Sequence, residues 1–299
     1  MRASPKVSVV VPVHRGTDLL PAALGSILRQ SYSDFEVVVS GDGASESVEK
    51  AALSMGDSRV RWEGFPKAPG FGYSNRDRAI ARSRGDLIAY LSPDDLWAGD
   101  HLELLVAALE TAQADLVFSR PVLVWGNGRP RPGFLPFDLA RGGPAPPAAW
   151  LLACVSPTQV LHSRSAYLRA GGWRDGLPIH GDIDLWLRFR ELGAKIRFLR
   201  ESTVVRFPSY AFRRTSEAGL AALHSNFADD LASGRLVLGK IRWRPVRRIF
   251  GWMEDFAVVA LRRGSRWGGA LARRSRLRQR PVDPNPPSPR SESGRSSTR

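Results

Sequence analysis

The chain has 299 residues, 43% of them hydrophobic, which is enough to bury a sizeable core and excludes both a disulfide miniprotein and a chain disordered throughout. Its single cysteine, Cys154, excludes an internal disulfide and makes a reducing compartment the expected setting. The formal net charge of +15 sits in the tail: residues 235–299 hold 17 Lys and Arg against four Asp and Glu, while the first 234 hold 27 against 25. A near-neutral body argues against a nucleic-acid binder. No apolar run approaches the roughly 18 residues of a spanning helix. The first apolar stretch is broken by Pro12, His14 and Arg15, so it reads as a strand and not as a signal peptide.

In chain order, β-branched runs alternate with helical stretches, the pattern of a mainly parallel sheet with crossover helices. Val7–Val13 is a near-continuous apolar run, as a strand buried on both faces should be. Asp18–Gln30 reads as a helix with Pro21 in its first turn, Phe35–Ser40 as a strand, Ser45–Ser54 as a helix and Val60–Phe65 as a strand. A helix over Tyr73–Ser83, a strand over Leu87–Leu91, a helix over His101–Ala112 and a strand over Asp115–Val124 complete the first half. Gly and Pro density predicts a long irregular segment from Trp125 to Pro147. A helix near Ala148–Cys154, a strand over Gln159–Ser163, a short helix ending at Gly171-Gly172 and a helix over Asp182–Leu192 follow. Two strands, Lys195–Leu199 and Thr203–Phe207, come last. The Pro, Ser and Arg composition after Pro281 predicts disorder.

Ligands of open α/β sheets sit beyond the carboxyl ends of the strands. Those ends read Pro12-Val13-His14-Arg15, Ser40-Gly41-Asp42-Gly43 and Ser92-Pro93-Asp94-Asp95, so one basic and two acidic loops should converge. Carboxylates there suit a nucleoside and a hard divalent cation on a diphosphate. No GxGxxG or Walker pattern accompanies them, and no histidine has zinc-ligand spacing.

Three ordered segments carry a resemblance. VSVVVPVHRGTDLLPAALGSILRQSYSDFEVVVSGDG, NRDRAIARSRGDLIAYLSPDDLWAGDHLE and GGWRDGLPIHGDIDLWLRFRELGAKI together resemble a family 2 glycosyltransferase of the GT-A fold, an inverting sugar-nucleotide enzyme. The resemblance implies a Rossmann-like α/β sheet and site residues position by position. Pro12 and His14 fall in the family's Pro-x-Tyr-Asn loop and are implied substrate contacts, and Asp42 is the implied contact to the nucleotide base. Arg76 would lie near the base or diphosphate, and Asp94 matches the carboxylate that holds Mn²⁺ or Mg²⁺. Asp182 matches the general base that deprotonates the acceptor hydroxyl. Departures accompany the match: Gly41 and Ser92 stand where acids are usual, Asp77 where Asn is, and Gly181 where Glu precedes the base. A histidine after the last strand has no match in TVVRFPSYAFRRTSE.

Each assignment has a plainer alternative. Asp42 could serve a tight turn, Asp94 or Asp95 could cap the next helix, Asp182 could N-cap its own helix, and Asp184 is expected to pair with Arg188 at i, i+4. Trp97 and Trp186 are expected in the core or pocket wall. The resulting expectation is a glycosyltransferase domain over 1–234, with its nucleotide part at about 1–124 and its acceptor part at about 148–234. It would move a sugar from a nucleoside diphosphate sugar to a glycan or lipid-linked acceptor with inversion, in cell-surface glycan or polysaccharide synthesis. A catalytically degenerate nucleotide-sugar or glycan binder and a nucleotidyltransferase are the rival readings. Residues 235–280 read as a basic amphipathic helical extension that either meets an anionic membrane surface or packs back on the domain, and 281–299 as a disordered tail. The expected location is cytoplasmic, peripheral at the inner membrane face.

Overall fold

Val7–Val13 forms the central strand β1, because a valine-rich run can be buried on both sheet faces. The computed structural model describes residues 5–15, 18–124, 128–133, 155–177, 180–208 and 216–241. Met1–Trp243 is one compact unit, and a second, Arg244–Arg299, lies outside the described residues. The helix expected near Ala148–Cys154, most of the Trp125–Pro147 segment, the basic extension beyond 241 and the tail also lie outside them.

β1 pairs in parallel with β2 (Phe35–Asp42) on one side and with β4 (Leu87–Tyr90) on the other, and β3 (Val60–Phe65) pairs in parallel with β2. Beyond this parallel block the sheet is mixed. β8 (Val160–Ser163) runs antiparallel to β4 and to β6 (Leu116–Val124), and β6 is parallel to β9 (Ile196–Arg206). β5 (Leu96–Trp97) adds antiparallel to β9, and β7 (Pro130–Pro132) to β6. The order is β3-β2-β1-β4-β8-β6-β9-β5, with β7 off that path.

Helices α1 (Leu20–Leu28), α2 (Glu46–Leu53) and α4 (His101–Ala112) cover the face that carries Val7, Val9 and Val11. Helices α3 (Tyr73–Ala81), α5 (Arg164–Arg169) and α6 (Gly181–Glu191) cover the face of Val10, Val38 and Tyr90. A smaller core gathers Leu96, Val122 and Phe207 under α7 (Glu217–Ala232).

Three findings correct the sequence reading. The two expected strands at 195–207 are one strand, β9, whose register against β6 shifts at Ser119/Arg120 and Arg120/Pro121. The polar break at Arg200-Glu201-Ser202 is therefore a bulge within a strand and not a loop. Strands β5 and β7 have two and three residues, too few to show a period. Helix α7 is an addition to the expected elements; it is alanine-rich, its buried residues are His224, Phe227 and Ala228, and Ser216 caps it by accepting from the Gly219 N–H. Trp97 and Trp186 are core residues, each donating its indole N–H to a backbone carbonyl, Thr158 and Val155 respectively.

At the amino edge of the parallel block, Glu36 joins four segments. Its buried carboxylate accepts from Ser8 Oγ at 2.8 Å, from the Arg84 N–H and Nε, and faces Arg61. Burial raises its pKa, but those hydrogen bonds and the two arginines outweigh that and hold it below 4.5. The carboxylate's contribution is thus present above pH 4.5 and is lost as pH falls through the lowered value. Glu36→Gln should cost about 2 kcal/mol at pH 7 in chemical denaturation, narrowing below pH 4. A constant gap across that range would contradict the ionised role.

Candidate functional site

β1, β2, β3, β4, β6 and β9 all point the same way, so their carboxyl ends share one edge of the sheet. Pro12, half-buried near the end of β1, lies opposite Ser40. The exposed His14 follows, its Nδ1 2.7 Å from the carbonyl oxygen of Asp42. Asp42 itself is buried at the end of β2. Its Oδ1 accepts from the Ala68 N–H and from Asn75 Nδ2, each at 2.7 Å, and its Oδ2 pairs with Lys67. Burial alone would raise its pKa; these donors lower it, so Asp42 is ionised and stitches β2 to the loop after β3 and to α3. Its role is larger than a turn residue's.

On α3, the Arg76 guanidinium lies 5.1 Å from both the Tyr73 and Trp173 ring centroids, and those rings are stacked at 5.5 Å with a 5° interplanar angle. Arg76 Nε is buried without a hydrogen-bond partner. Burial lowers its pKa, against the opposing fields of Tyr73, Asp182, Tyr90 and Asp42. Asp182 is half-buried in the first turn of α6, where its Oδ1 accepts from the Ile183 N–H at 3.0 Å. Asp184 is spoken for: it accepts from Arg188 at 2.8 and 3.0 Å and from Arg174 at 3.2 Å. The structure therefore brings Asp42, Arg76 and Asp182 into one electrostatic neighbourhood and gives Asp184 the pairing role expected of it.

Asp94 and Asp95 follow β4 and divide their work. Asp95 is buried and accepts from Thr158 Oγ1 at 2.8 Å and from the Phe207 N–H at 3.1 Å, with Arg206 3.6 Å away. It ties β4 to β9, and neither acid caps α4, whose first turn opens after Asp100. Asp94 is half-buried, and its pKa is pushed up to about 7 by burial and by the Asp95 charge. Among the described residues no three His, Cys, Asp or Glu side chains form a metal cage. One under-compensated carboxylate fits a divalent cation that takes its remaining ligands from phosphate oxygens and water, the usual manner of Mg²⁺ at nucleotide sites. The first histidine after β9 is His224, on α7. It is buried against Phe207 near the Asp95 backbone, and burial lowers its pKa to about 4.

The departures from the family pattern have physical occupants. A Cβ on Gly41 would lie 2.5 Å from Trp62 Cη2, so an indole fills the space an acid would need. A Cβ on Gly181 would lie 2.5 Å from Tyr73 Cζ, whose hydroxyl accepts from the Gly181 N–H at 3.0 Å. Asp77 accepts from the Tyr167 hydroxyl and from the Trp173 N–H, anchoring the Gly171-Gly172-Trp173 turn. Tyr73 follows Gly72 and Trp173 follows Gly172, so an aromatic beside a glycine is the sequence signal for these two, and Trp62 has none. A cavity of about 320 Å³ lined by Arg120, Arg200, Ser202 and Leu238 includes none of these residues.

Residues 8–140 match the family described as glycosyl transferase family 2. The Escherichia coli UDP-Glc:alpha-D-GlcNAc-diphosphoundecaprenol beta-1,3-glucosyltransferase WfgD is 28% identical over 103 residues, 34% of this chain and 40% of the relative. The chain thus spans less than half the length of that relative. Among solved structures, S. aureus TarS 1-349 in complex with UDP is similar at TM-score 0.54 and 17% identity, covering 76% of this chain and 72% of that one. Mannosyltransferase PcManGT from Pyrobaculum calidifontis, in complex with GDP-Man and Mn²⁺, is similar at TM-score 0.51 and 16% identity, covering 87% of this chain and 81% of that one. These likenesses show the GT-A-like fold.

The strained charge of Asp94 has a measurable consequence. A carboxyl whose folded pKa is raised costs stability as pH rises from its unfolded value of 3.8 towards about 7, and the cost then levels off. With divalent cations chelated, Asp94→Asn should be more stable than wild type by about 1 kcal/mol or more at pH 8 in urea denaturation, and no more stable at pH 3.5. A gap of the same size at both pH values would contradict the assignment.

Proposed function

We propose, on the premise that the chain belongs to glycosyl transferase family 2 through residues 8–140, that it transfers a sugar from a nucleoside diphosphate sugar to an acceptor hydroxyl with inversion. The observation that carries this reading is that α3 links the three residues at the carboxyl edge: Asn75 donates to Asp42, Arg76 lies 5.1 Å from the Tyr73 ring, and Tyr73 accepts from Gly181 beside Asp182. Asp42 and His14 sit where a nucleoside would be held, with Pro12 beside them on β1, opposite Ser40. Arg76 offers a fixed positive charge, braced by two rings, to a diphosphate.

Asp94 would hold Mn²⁺ or Mg²⁺ together with diphosphate oxygens. Bound there, the ion supplies neutralisation of the charge on the leaving group. Asp182 takes the proton of the acceptor hydroxyl as its oxygen attacks the anomeric carbon from the face opposite the diphosphate. The new C–O bond forms as the bond to the diphosphate breaks, and the electron pair leaves with the nucleoside diphosphate. The E. coli relative's acceptor is a sugar on a diphosphoundecaprenol, which supports a lipid-linked or surface-glycan acceptor here. Among the described residues no helix is long and apolar enough to cross a membrane. The basic segment 235–280 would bring the domain to an anionic membrane surface that presents such an acceptor, at the cytoplasmic face.

The degenerate-binder reading draws on Gly41 and Ser92, which stand where acids are usual, and a Cβ at Gly41 would meet the Trp62 indole. Thermal stabilisation by UDP, GDP or dTDP, each with and without Mn²⁺, identifies the nucleotide. With the matching sugar donor, Asp182→Asn should lower transfer at least a hundredfold while leaving calorimetric donor affinity within about twofold. Asp94→Asn should weaken Mn²⁺-dependent nucleotide binding and leave the fold intact. Wild-type transfer by Asp182→Asn would remove that residue from the base's role, and nucleotide binding without turnover by the wild type would favour the binder.

A further inference from the structure

The first turn of α6 is built against one phenol. The N–H of Gly181, one of the helix's unsatisfied leading donors, donates to Tyr73 Oη at 3.0 Å. The ring of Tyr73 lies so close that residue 181 has no room for a side chain. Just before it, His180 holds a left-handed backbone with φ of 62°. A non-glycine residue there costs about 1 kcal/mol, so contacts around the helix start must hold it in place.

The other sides of the same ring reach the donor half of the site. Tyr73 is stacked on Trp173, and Arg76, three residues on along α3, carries its guanidinium 5.1 Å from both rings. Trp173 is fixed in turn through its N–H to Asp77, and Arg188 donates to the carbonyls of Ala170 and Gly172 while paired with Asp184 on α6. One side chain thus touches the helix that carries Asp182 and the arginine that faces the diphosphate.

We propose that Tyr73 is a positioning residue whose hydroxyl sets the first turn of α6, and with it Asp182, at a fixed place relative to Arg76. The inference rests on the reading of Asp182 as the base. Tyr73 does not itself take the proton: burial raises its pKa, so it remains a phenol whose oxygen keeps accepting from Gly181. Tyr73→Phe isolates the contact, because it keeps the ring, the Trp173 stack and the Arg76 contact and removes only the acceptor of the Gly181 N–H.

The full chain serves for the test, with UDP or GDP plus Mn²⁺ as the binding probe and UDP-glucose or GDP-mannose as the donor. Tyr73→Phe should lower kcat about tenfold, leave nucleotide Kd within about twofold, and speed hydrogen exchange at the Gly181 amide. A merely structural tyrosine would lower binding and kcat together. As a second measurement, Gly181→Ala should lower Tm in the wild type and much less in a Tyr73→Ala background, where the new methyl meets no ring. An unchanged kcat in Tyr73→Phe, an equal loss of kcat and nucleotide affinity, or the same Gly181→Ala penalty in both backgrounds overturns the inference alone. Absence of transfer by the wild type with every donor overturns the reading of Asp182, and this inference with it.

Discussion

β1 is hydrogen-bonded on both sides and buried on both faces, so neither its register nor its direction has freedom. Val7, Val9 and Val11 pack against α1, α2 and α4, while Val10 packs under α3 and α6. A slip by one residue would exchange the two faces and place Ser8 and Pro12 where valines belong. With β1 fixed, β2 and β4 end beside it, and Asp42 and the Asp94 loop must open on the same side of the sheet. The chemistry at that edge is a consequence of how a valine-rich strand has to be buried.

What surrounds the edge is a division of labour among carboxylates. Asp77, Asp95 and Asp184 are consumed by hydrogen bonds that fix turns and strands. Asp42 is partly consumed, held ionised by Lys67, Asn75 and the Ala68 N–H. Among the described residues at this edge, Asp94 and Asp182 are left without a cationic partner at hydrogen-bonding distance, and they stand on separate elements, the loop after β4 and the first turn of α6, as the proposed leaving-group site and base require. Aromatic rings take over where acids are absent, Trp62 above Gly41 and Tyr73 above Gly181. The arrangement at Gly181 also gives a buried helix start a specific acceptor for one of its leading N–H groups.

Much of this was legible in the sequence. The valine run of β1, the apolar spacing of α1 and α4 and the acidic strand ends follow from periodicity and from where turns fall. The Asp184–Arg188 pair follows from helical spacing. Illegible were features that depend on partners distant in sequence. β5 and β7 exist only because β9 and β6 offer them a ladder. The bulge in β9 looks like a loop until β6 is seen to run through it. Tyr73 and Trp173, a hundred residues apart, look like ordinary core aromatics until their rings are found stacked with Arg76 between the site's two halves. Likewise, nothing in the local sequence says that Asp95 is satisfied by Thr158 and Phe207 while its neighbour is not.

The account stands on one claim about place: a nucleoside diphosphate binds at the carboxyl edge, between Arg76 and Asp94, with its base against Asp42. A crystal structure of the full chain with the stabilising nucleotide and Mn²⁺ tests it most directly. The account predicts the diphosphate within hydrogen-bonding reach of the Arg76 guanidinium, Mn²⁺ density on Asp94, and Asp182 facing the open side of the outer phosphate. A nucleotide bound elsewhere, or one at this edge with Asp94 and Arg76 both turned away from it, would contradict it.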